Sequence, residues 1–519
     1  MLSSSHSCPQ ATGASLRALF IASGPRYKER ARALARLSLD GSEEEPSQGG
    51  FYIHSMPALE RSIRRKIFYA MAALFFVVAP AVLLYSRGYL VDFEGRSLVS
   101  TGGVFVKTIQ PGTRVLLNGV FERETSFISR GALITNLLPK RYALRVEKEG
   151  RQPWEKVVRV ASQEVLEFRN VFLPPATITP AVVFDARRSP LRVSPLPGRP
   201  EFLLEIGESG KPFTLAIVNP ETRRARLNLL RVSTWEWDER TRTLIFSRDE
   251  GGRQRWFRVT FAADGTVSGE QPIRFRGLPD GFSADRVTPH PQNPGEFYFF
   301  AGGALFLQGR APVPTPIADD VHAYAVARER LYFISKNGFF VESNLEGQET
   351  RILGRKGLFL DAAEPANIFA VPNGDVLVLD SAGGLFHFEP GRDVELSFVV
   401  GSVRGLDWSA AGERALLWDS HRLSIYWLRE NRAQPFDLAR SRKQIFFTDE
   451  EIGRAFLDAA GTYAFFVTPS GVRMTEVDDR GSTNTYELVR SPLASFLLDK
   501  ENLRLYWTED TKVWQADLK

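Results

Sequence analysis

A recurring unit of short apolar segments fills the C-terminal two thirds of the chain and constrains its fold more than any other feature. Each unit has a polar turn, four or five apolar or aromatic residues, a short turn containing Gly or Asp, and a second apolar segment. The first apolar segments of the units begin at Phe202, Leu244, Phe297, Leu331, Val376, Ala415, Ala464 and Leu505. Their spacing averages about 43 residues, and a period of about 40–45 residues built from short strands is typical of propeller blades. The sequence therefore predicts a β-propeller over residues 176–519.

Three of these units resemble propellers of the TolB-like or YVTN-like kind, in which Trp-Ser-x-x-Gly precedes the second strand. The matching segments are Trp408–Gly412, Leu457–Gly461 and Trp237–Glu239. Eight apolar segments predict eight blades, with seven as the alternative if one segment belongs to a neighbouring blade. Because a ring of blades must protect its edges, we expect a strand within Thr177–Phe184 to pair with the last blade. We also expect the tryptophans of this region to pack between blades rather than to form a stacking platform for sugars.

A second feature is the apolar segment Ile67–Tyr85, which contains no charged residue. As a helix it would extend for about 28 Å, close to the roughly 30 Å of a bilayer's hydrocarbon core. We therefore expect one transmembrane helix at residues 67–86. The basic residues just before it place the N-terminus in the cytoplasm and everything after Ser86 outside the cell membrane. These basic residues are Arg61, Arg64, Arg65 and Lys66.

Two other interpretations of the apolar segment stay open. Ala79-Pro80-Ala81 has the small-residue pattern of a signal-peptide cleavage site, although apolar residues continue beyond it. A buried helix of a soluble domain is the other interpretation. Residues 1–66 show no pattern that predicts a fold, and we expect a disordered cytoplasmic segment there. Met56 immediately precedes the segment PALERSIRRK, which contains these basic residues, and we expect it to be the true start of the protein.

Alternating apolar residues predict a small β-domain over residues 100–175. The expected strands lie at residues 103–109, 114–117, 142–147, 156–160 and 165–173. Asn118-Gly119 is a signal for a type I′ hairpin, because both central residues of that turn must accept a positive φ. The expected domain is thus made of hairpins and short strands.

The turns of this domain resemble those of the PEGA domain, a small extracytoplasmic β-sandwich. The matching positions are Pro111-Gly112-Thr113, Asn118-Gly119, Leu138–Tyr142 and Gly150–Trp154. The sequence departs from the family at the Glu of the naming motif, which is missing, at Thr113 in place of Ala, and at Lys140-Arg141 in place of Gly-x. The resemblance implies a β-sandwich that carries no catalytic residues, and we expect Tyr142 and Trp154 to lie in its core.

The sequence offers little material for catalysis or metal binding. Cys8 is the single cysteine, which excludes disulfides and thiolate metal clusters within the chain. The histidines form no H-E-x-x-H motif and no pair at metal-ligand spacing; they are His6, His54, His290, His322, His387 and His421. We therefore predict no catalytic residue, no cofactor and no metal site. The acidic residues near predicted strand ends are expected to be solvated turn residues: Asp375, Asp380, Glu413 and Asp419.

Charge and layout together define the expected function. Residues 67–519 carry 56 Lys and Arg against 55 Asp and Glu, which gives no support for a basic, nucleic-acid-binding face. We predict a non-enzymatic, membrane-anchored protein of the cell envelope, in which the PEGA-like domain is a spacer that presents the propeller to a protein, peptide or glycan partner. The alternative is an extracytoplasmic propeller hydrolase or lyase whose active residues converge in the central channel from distant blades.

Overall fold

The structure is a computed structural model. It describes residues 61–86, 88–92, 97–262, 266–279, 282–293, 295–327, 329–354, 358–361, 366–491, 493 and 495–519. The expectations for residues 1–60, which include Met56, Cys8 and a disordered segment, lie outside the described residues. The described residues divide into two units, with the boundary between Val78 and Ala79.

The apolar segment forms one helix, α1 (Arg61–Ser86), with Pro80 inside it. The helix begins before the predicted start at Ile67, so the basic residues Arg64, Arg65 and Lys66 belong to it. Its residues Ser62–Ser86 are long and apolar enough to cross a membrane, and their apolar side chains are exposed. The apolar helix is confirmed. Because a signal sequence has the same length and composition, the membrane topology stays a prediction.

Two groups of strands follow the helix. The first is an antiparallel hairpin of β1 (Tyr89–Asp92) and β2 (Ser97–Ser100). The second group contains β3 (Gly102–Thr108), β4 (Arg114–Leu117), β5 (Val120–Glu124), β6 (Gly131–Leu137), β7 (Arg141–Glu147), β8 (Trp154–Arg159) and β9 (Val165–Val171).

Strands β3–β9 form a β-sandwich. One sheet has the order β6-β3-β9, in which β3 and β9 are parallel, and the other has the antiparallel order β5-β4-β7-β8. Both sheets contribute to one core, as shown by Val106 of β3, Leu144 of β7 and Phe168 of β9. Tyr142 and Trp154 are buried in this core, which confirms the prediction. The five predicted strands are all present, with ends shifted by a few residues.

The turn between β4 and β5 has the conformation that its sequence predicts. Asn118 has a φ of 51° and Gly119 a φ of 80°, as a hairpin of primed type requires. The Asn118 side chain accepts a hydrogen bond from the amide of Ala143, at 2.9 Å, so it ties the turn to the neighbouring strand β7.

Residues 181–272 form a seven-stranded sheet and, before it, one strand that belongs to the sheet at the C-terminal end of the chain. The single strand is β10 (Ala181–Asp185). The seven-stranded sheet contains β11 (Pro190–Pro195), β12 (Phe202–Ile206), β13 (Phe213–Asn219), β14 (Arg224–Asp238), β15 (Thr243–Asp249), β16 (Gln254–Thr260) and β17 (Gln271–Pro272).

Residues 286–400 form three four-stranded sheets. Their strands are β18 (Arg286–Pro289), β19 (Phe297–Ala301), β20 (Ala304–Gln308) and β21 (Thr315–Ala318); β22 (Val321–Val326), β23 (Leu331–Ser335), β24 (Phe340–Ser343) and β25 (Arg351–Ile352); and β26 (Asn367–Ala370), β27 (Val376–Leu379), β28 (Leu385–Phe388) and β29 (Ser397–Val400).

Residues 405–517 form three more sheets, of which the last is completed by β10. Their strands are β30 (Gly405–Trp408), β31 (Arg414–Trp418), β32 (Arg422–Trp427) and β33 (Arg442–Phe447); β34 (Arg454–Leu457), β35 (Tyr463–Thr468), β36 (Gly471–Glu476) and β37 (Thr485–Val489); and β38 (Ser495–Asp499), β39 (Arg504–Glu509) and β40 (Lys512–Asp517).

The connectivity of these sheets is that of a β-propeller. Each of the apolar segments that defined the repeat lies on the second strand of a four-stranded antiparallel meander. Strand β14 serves two meanders: its first half pairs with β13 and its second half with β15, and it bends at Arg231, which has a φ of 58°. First strands of neighbouring meanders contact each other, for example β30 and β34, or β11 and β38. Successive meanders arranged in this way are propeller blades.

β10, the first strand of the propeller region, completes the sheet of β38, β39 and β40, as predicted. β10 pairs antiparallel with β40, with Ala181 opposite Gln515. Its pairing begins later than the predicted range of Thr177–Phe184, at Ala181. This pairing satisfies the backbone of β40, which would otherwise be an open edge.

Apolar side chains pack between neighbouring sheets. Leu416 and Trp418 of β31, for example, share a cluster with Ala464 and Phe466 of β35. The tryptophans after Pro175 belong to this packing, because each is buried or half-buried. This confirms their predicted role in the core; they are Trp235, Trp237, Trp256, Trp408, Trp418, Trp427, Trp507 and Trp514.

The sandwich is joined to the propeller through buried polar groups. Lys156 of β8 has a fully buried side chain, and its Nζ lies 3.1 Å from Glu476 Oε2 of β36. The indole Nε1 of Trp154 donates to the other oxygen of Glu476, at 3.1 Å. The backbones also approach closely, because a Cβ added at Gly481 would lie 2.4 Å from the carbonyl oxygen of Val157. These contacts hold the sandwich directly on the sheet β34–β37.

Candidate functional site

A cavity of about 720 Å³ lies between two neighbouring sheets of the propeller. One wall comes from the part of the seven-stranded sheet that contains β15, β16 and β17, and the other comes from β18, β19 and β20. Polar residues line much of it, among them Thr243, Thr260, Asn293 and Gln308. Its size suits a small charged group or a segment of a polymer.

Four arginines line this cavity, which we call the arginine groove; they are Arg258, Arg274, Arg276 and Arg310. Glu296 is the carboxylate among the lining residues that the structure describes. The groove therefore combines four positive charges with one negative charge, although the whole of residues 67–519 is close to neutral.

The local sequence explains why two of the arginines point into the same space. Arg274 and Arg276 both line the groove, whereas Phe275 between them does not. Phe275 packs edge-on against the ring of Phe299, at 4.9 Å between centroids, and this contact anchors the segment. The amide of Arg276 donates to Gln308 Oε1, at 3.0 Å, which ties the segment to β20.

The guanidinium groups retain free donors. Arg258 Nε donates to Gln271 Oε1 at 3.2 Å, and Arg310 lies 3.9 Å from Glu296 with a side chain that is 97% exposed. Among the described residues, Arg274 has no hydrogen-bond or ion-pair partner. Because such long, exposed ion pairs contribute little, these arginines are available to an anion from outside. A guanidinium binds carboxylate or phosphate through two parallel hydrogen bonds.

His290, in the wall of the groove, supports a turn rather than supplying charge. Its Nδ1 accepts hydrogen bonds from the amides of Gln292 and Asn293, at 3.2 and 3.0 Å. Burial lowers the pKa of His290, because it disfavours the charged imidazolium. The neutral ring stacks on Tyr298 with 5.4 Å between centroids. The positive charge of the groove is therefore that of its arginines.

A second polar cluster is buried between the sheets β26–β29 and β30–β33. His387 Nε2 lies 3.1 Å from Asp375 Oδ2, and His387 Nδ1 lies 2.9 Å from the hydroxyl of Tyr426. Arg429 donates to both oxygens of Asp375, at 2.7 Å each. Burial raises the pKa of Asp375, but the hydrogen bonds from His387 and Arg429 outweigh it, so that the pKa lies below its ordinary value.

The structure corrects the prediction for two acidic residues, of which Asp375 belongs to this cluster. Asp375 and Asp380 were expected to be solvated, and both are buried. Asp380 Oδ1 accepts hydrogen bonds from the amides of Ala382 and Gly384, so it closes a turn instead of facing water. Of the other two residues, Glu413 is exposed, as predicted, and Asp419 is partly buried.

The buried cluster contains the residue types of a catalytic relay, but a substrate cannot reach His387. The His387 side chain is fully buried, and both of its ring nitrogens have partners, so it cannot contact a substrate in this conformation. Its contacts join two neighbouring sheets, which is a structural role. Within the described residues, no group of three His, Cys, Asp or Glu side chains is arranged to hold a metal ion.

Neither site follows from the sequence prediction, which named no site residue. The arginines come from three separate segments between residues 258 and 310, and acidic residues elsewhere balance their charges in the total for the chain. The alternating Arg274-Phe275-Arg276 is the one local signal that points to the groove.

Among known proteins, similarity to this chain was found only in solved structures. No family model matches the chain, and no curated protein matches it. The C-terminal WD40 domain of Sif2 aligns with a TM-score of 0.44 at 9% identity and covers 66% of this chain and 99% of that domain. Sqt1 from Saccharomyces cerevisiae aligns with a TM-score of 0.40 at 12% identity, over 67% of this chain and 100% of that one. At such low scores, the strand connectivity of the chain itself defines the class: a β-propeller protein with a β-sandwich before it.

Proposed function

We propose that this protein is a non-enzymatic, single-pass membrane protein of the cell envelope. In this proposal α1 is the anchor, the N-terminus is cytoplasmic, and the PEGA-like sandwich presents an eight-bladed, TolB/YVTN-like propeller on the outer side. The propeller binds a protein, peptide or glycan partner that carries carboxylate or phosphate groups. The arginine groove is the binding site for these groups.

The helix and its flank support the anchor. α1 has the length and composition of a membrane span, and Arg64, Arg65 and Lys66 at its N-terminal end fit the cytoplasmic side of a membrane. The buried contact of Lys156 with Glu476 supports a spacer that holds the propeller in a fixed orientation. A rigidly held propeller loses less conformational freedom when it binds a partner.

The arginine groove is the observation that carries the binding function. Glycosidases of the common type need a pair of carboxyl groups at the reacting bond. The described lining of the groove contains Glu296 as its carboxylate, and this residue is already engaged by Asn293, at 3.1 Å. Four guanidinium groups around one such carboxylate favour the binding of an anion over hydrolysis.

A binding assay with defined polymers tests the groove. The full chain, purified in detergent, is titrated with poly-L-glutamate, with polygalacturonate and with neutral dextran. We expect at least one acidic polymer to bind and dextran not to bind. The double variant Arg274→Gln/Arg310→Gln should raise the Kd by about tenfold or more, since each charge-assisted hydrogen bond contributes about 1.5–3 kcal/mol.

The matched control is Arg253→Gln, in the turn between β15 and β16, because Arg253 is exposed and lies outside the groove. This variant should bind like the unchanged chain. Binding should also weaken as NaCl rises from about 0.05 M to about 0.5 M, because salt screens exposed charges. Equal losses in the groove variant and the Arg253 control would contradict the proposed site, as would the absence of binding to both acidic polymers.

A further inference from the structure

One end of the β-sandwich is fixed close to the point where the chain leaves α1. The hydroxyl of Tyr85 accepts a hydrogen bond from Asn136 Nδ2 of β6, at 3.2 Å. Gly88, just after the helix, accepts hydrogen bonds from the amide and the hydroxyl of Thr101, at 2.6 and 2.8 Å. We call this end the helix-side end; it contains the start of β3, the end of β6, and the segments 138–141 and 159–164.

Basic residues are concentrated at the helix-side end. Lys140, Arg141 and Arg159 are all exposed, and Glu164 is the acidic residue beside them. Arg141 and Arg159 are directly opposite each other in the register of β7 and β8. Like charges in this position destabilise a sheet, and no described residue forms an ion pair with either arginine. An anionic surface outside the protein would relieve this repulsion.

A hairpin of the propeller reaches the same end of the sandwich. Residues 431–437, between β32 and β33, form this hairpin, which is closed by the backbone pairing of Asn431 with Asp437. The Gln434 side chain at its tip donates to the carbonyl of Val165, at 3.0 Å, and accepts from the amide of Glu167, at 2.9 Å. Because Val165 is in register with Gly103, the hairpin tip lies beside the start of β9, level with the start of β3.

The hairpin exposes large apolar side chains. Phe436 is 69% exposed, and Leu438, just after the hairpin, is 73% exposed. Arg432, next to these residues, has a side chain that is 87% exposed and forms an ion pair with Glu430, at 3.1 Å, so among the described residues the unpaired basic groups of this end include Arg141 and Arg159. Exposed apolar residues beside basic ones are the combination that binds the interface of an anionic membrane, with the apolar groups below the head groups and the charges at the phosphates.

We propose that the helix-side end and the 431–437 hairpin lie against the head groups of anionic lipids in the membrane that α1 spans. Lys140, Arg141 and Arg159 contact lipid phosphates, and Phe436 enters the interface. This inference rests on the proposed anchoring function. A lipid surface is the partner favoured here because Gly88 ties this end of the sandwich to the end of the helix.

Nitroxide labels on the full chain test this contact. The native thiol is removed by Cys8→Ser, and one label is placed at Phe436→Cys. The control label is placed at Ile128→Cys, which is 93% exposed at the opposite end of β6, about 20 Å away at roughly 3.3 Å per strand residue. The labelled chains are reconstituted in phosphatidylcholine vesicles with and without phosphatidylglycerol, and paramagnetic resonance measures exposure of each label to oxygen and to nickel chelated on lipid head groups.

With phosphatidylglycerol present, we expect the label at position 436 to lie about 5–10 Å inside the head-group boundary. The label at position 128 should stay in water. Adding Arg141→Gln and Arg159→Gln should remove the effect of phosphatidylglycerol. If a change at Phe436 perturbs folding, a label at Leu438→Cys gives the same measurement.

The outcomes separate the two proposals. If the chain floats with the vesicles and resists extraction at alkaline pH, but both labels stay in water, the membrane contact is refuted and the anchor stands. If the chain does not stay with the vesicles, the anchor itself is refuted, and the membrane contact with it. Burial of the 436 label that does not depend on anionic lipid would refute the assigned role of the basic residues.

Discussion

Replacing Lys156 with Met measures how strongly the sandwich is held on the propeller. Lys156 Nζ lies 3.1 Å from Glu476 Oε2 and donates to the carbonyls of Asp478 and Ser482, at 2.5 and 2.8 Å. Met has a similar length but removes the charge and all three contacts, while Glu476 stays buried. Removing one partner of a buried ion pair costs about 3–5 kcal/mol. We expect the free energy of unfolding to fall by this amount at neutral pH.

The pH dependence identifies the charge on Glu476 as the cause. Burial raises the pKa of Glu476 above its ordinary value of 4.5, and the nearby Lys156 and a hydrogen bond from Asn484 oppose this rise. Without Lys156 the pKa rises further. At pH values between the pKa of Glu476 in the unfolded state and its higher pKa in the folded state, the folded state binds more protons than the unfolded state. The stability of the variant therefore falls as pH increases through this range. The deficit of the variant should therefore be smallest near pH 4.5 and grow towards neutral pH.

Urea unfolding of the full chain in detergent, followed by tryptophan fluorescence, provides the assay. Lys107→Met is the control, since Lys107 is exposed on β3, and we expect it to change stability by less than about 0.5 kcal/mol. The double variant Lys156→Met/Glu476→Gln should recover much of the loss, because no unpaired charge remains buried. A loss below about 1 kcal/mol at neutral pH, or a deficit that grows towards acid pH, would refute this reasoning.

Three further changes test other parts of the fold. Gly481→Ala would place a Cβ 2.4 Å from the carbonyl oxygen of Val157 and should lower the free energy of unfolding by about 1–3 kcal/mol. The control is Gly119→Ala: Gly119 has the same φ of 80°, but a Cβ there would meet open space, so the loss in the same urea assay should be smaller. His387→Ala should destabilise the chain by about 2–4 kcal/mol, because it removes a buried ring, takes one hydrogen bond from Asp375 and leaves the Tyr426 hydroxyl without its partner. A loss within about 0.5 kcal/mol, the size of a surface change, would contradict this. Deleting residues 512–519 removes β40 and should make β10 the first site of limited proteolysis, whereas an unchanged cleavage pattern would show that this pairing does not protect it.

The parts of the fold that follow from the sequence are those with regular spacing. The repeated apolar segments, such as Val376 and Leu505, predict the second strand of each meander because those strands are buried on both faces. Strand β5 escapes prediction because all five of its residues are exposed, so it has no apolar alternation. The join between sandwich and propeller escapes it as well. Nothing in the sequence around Lys156 distinguishes it from a surface lysine. Its burial depends on Glu476, which is 320 positions further along the chain.

The polar sites could not be predicted for a related reason. Charge counted along the chain is nearly zero after residue 66, yet folding brings arginines of β16, of the segment after β17 and of the segment after β20 to one groove. Asp375 lies next to the end of a strand, and an acidic residue in such a position is normally predicted to be exposed to solvent. It is buried because His387 and Arg429, from two other segments, reach it. Such sites depend on contacts between sheets, which periodicity does not encode.

The position of the sandwich on the propeller leaves the arginine groove uncovered. The sandwich contacts the sheet β34–β37 and the hairpin after β32, whereas the groove lies between the strands β15–β17 and the sheet β18–β21. In chain order, the sheets β22–β25 and β26–β29 stand between the two sites. Changes at distant sites without shared partners are additive. Lys156→Met should therefore lower stability without changing the Kd for an acidic polymer, and Arg274→Gln/Arg310→Gln should do the reverse; a variant that changes both quantities would show that the sandwich and the groove are coupled.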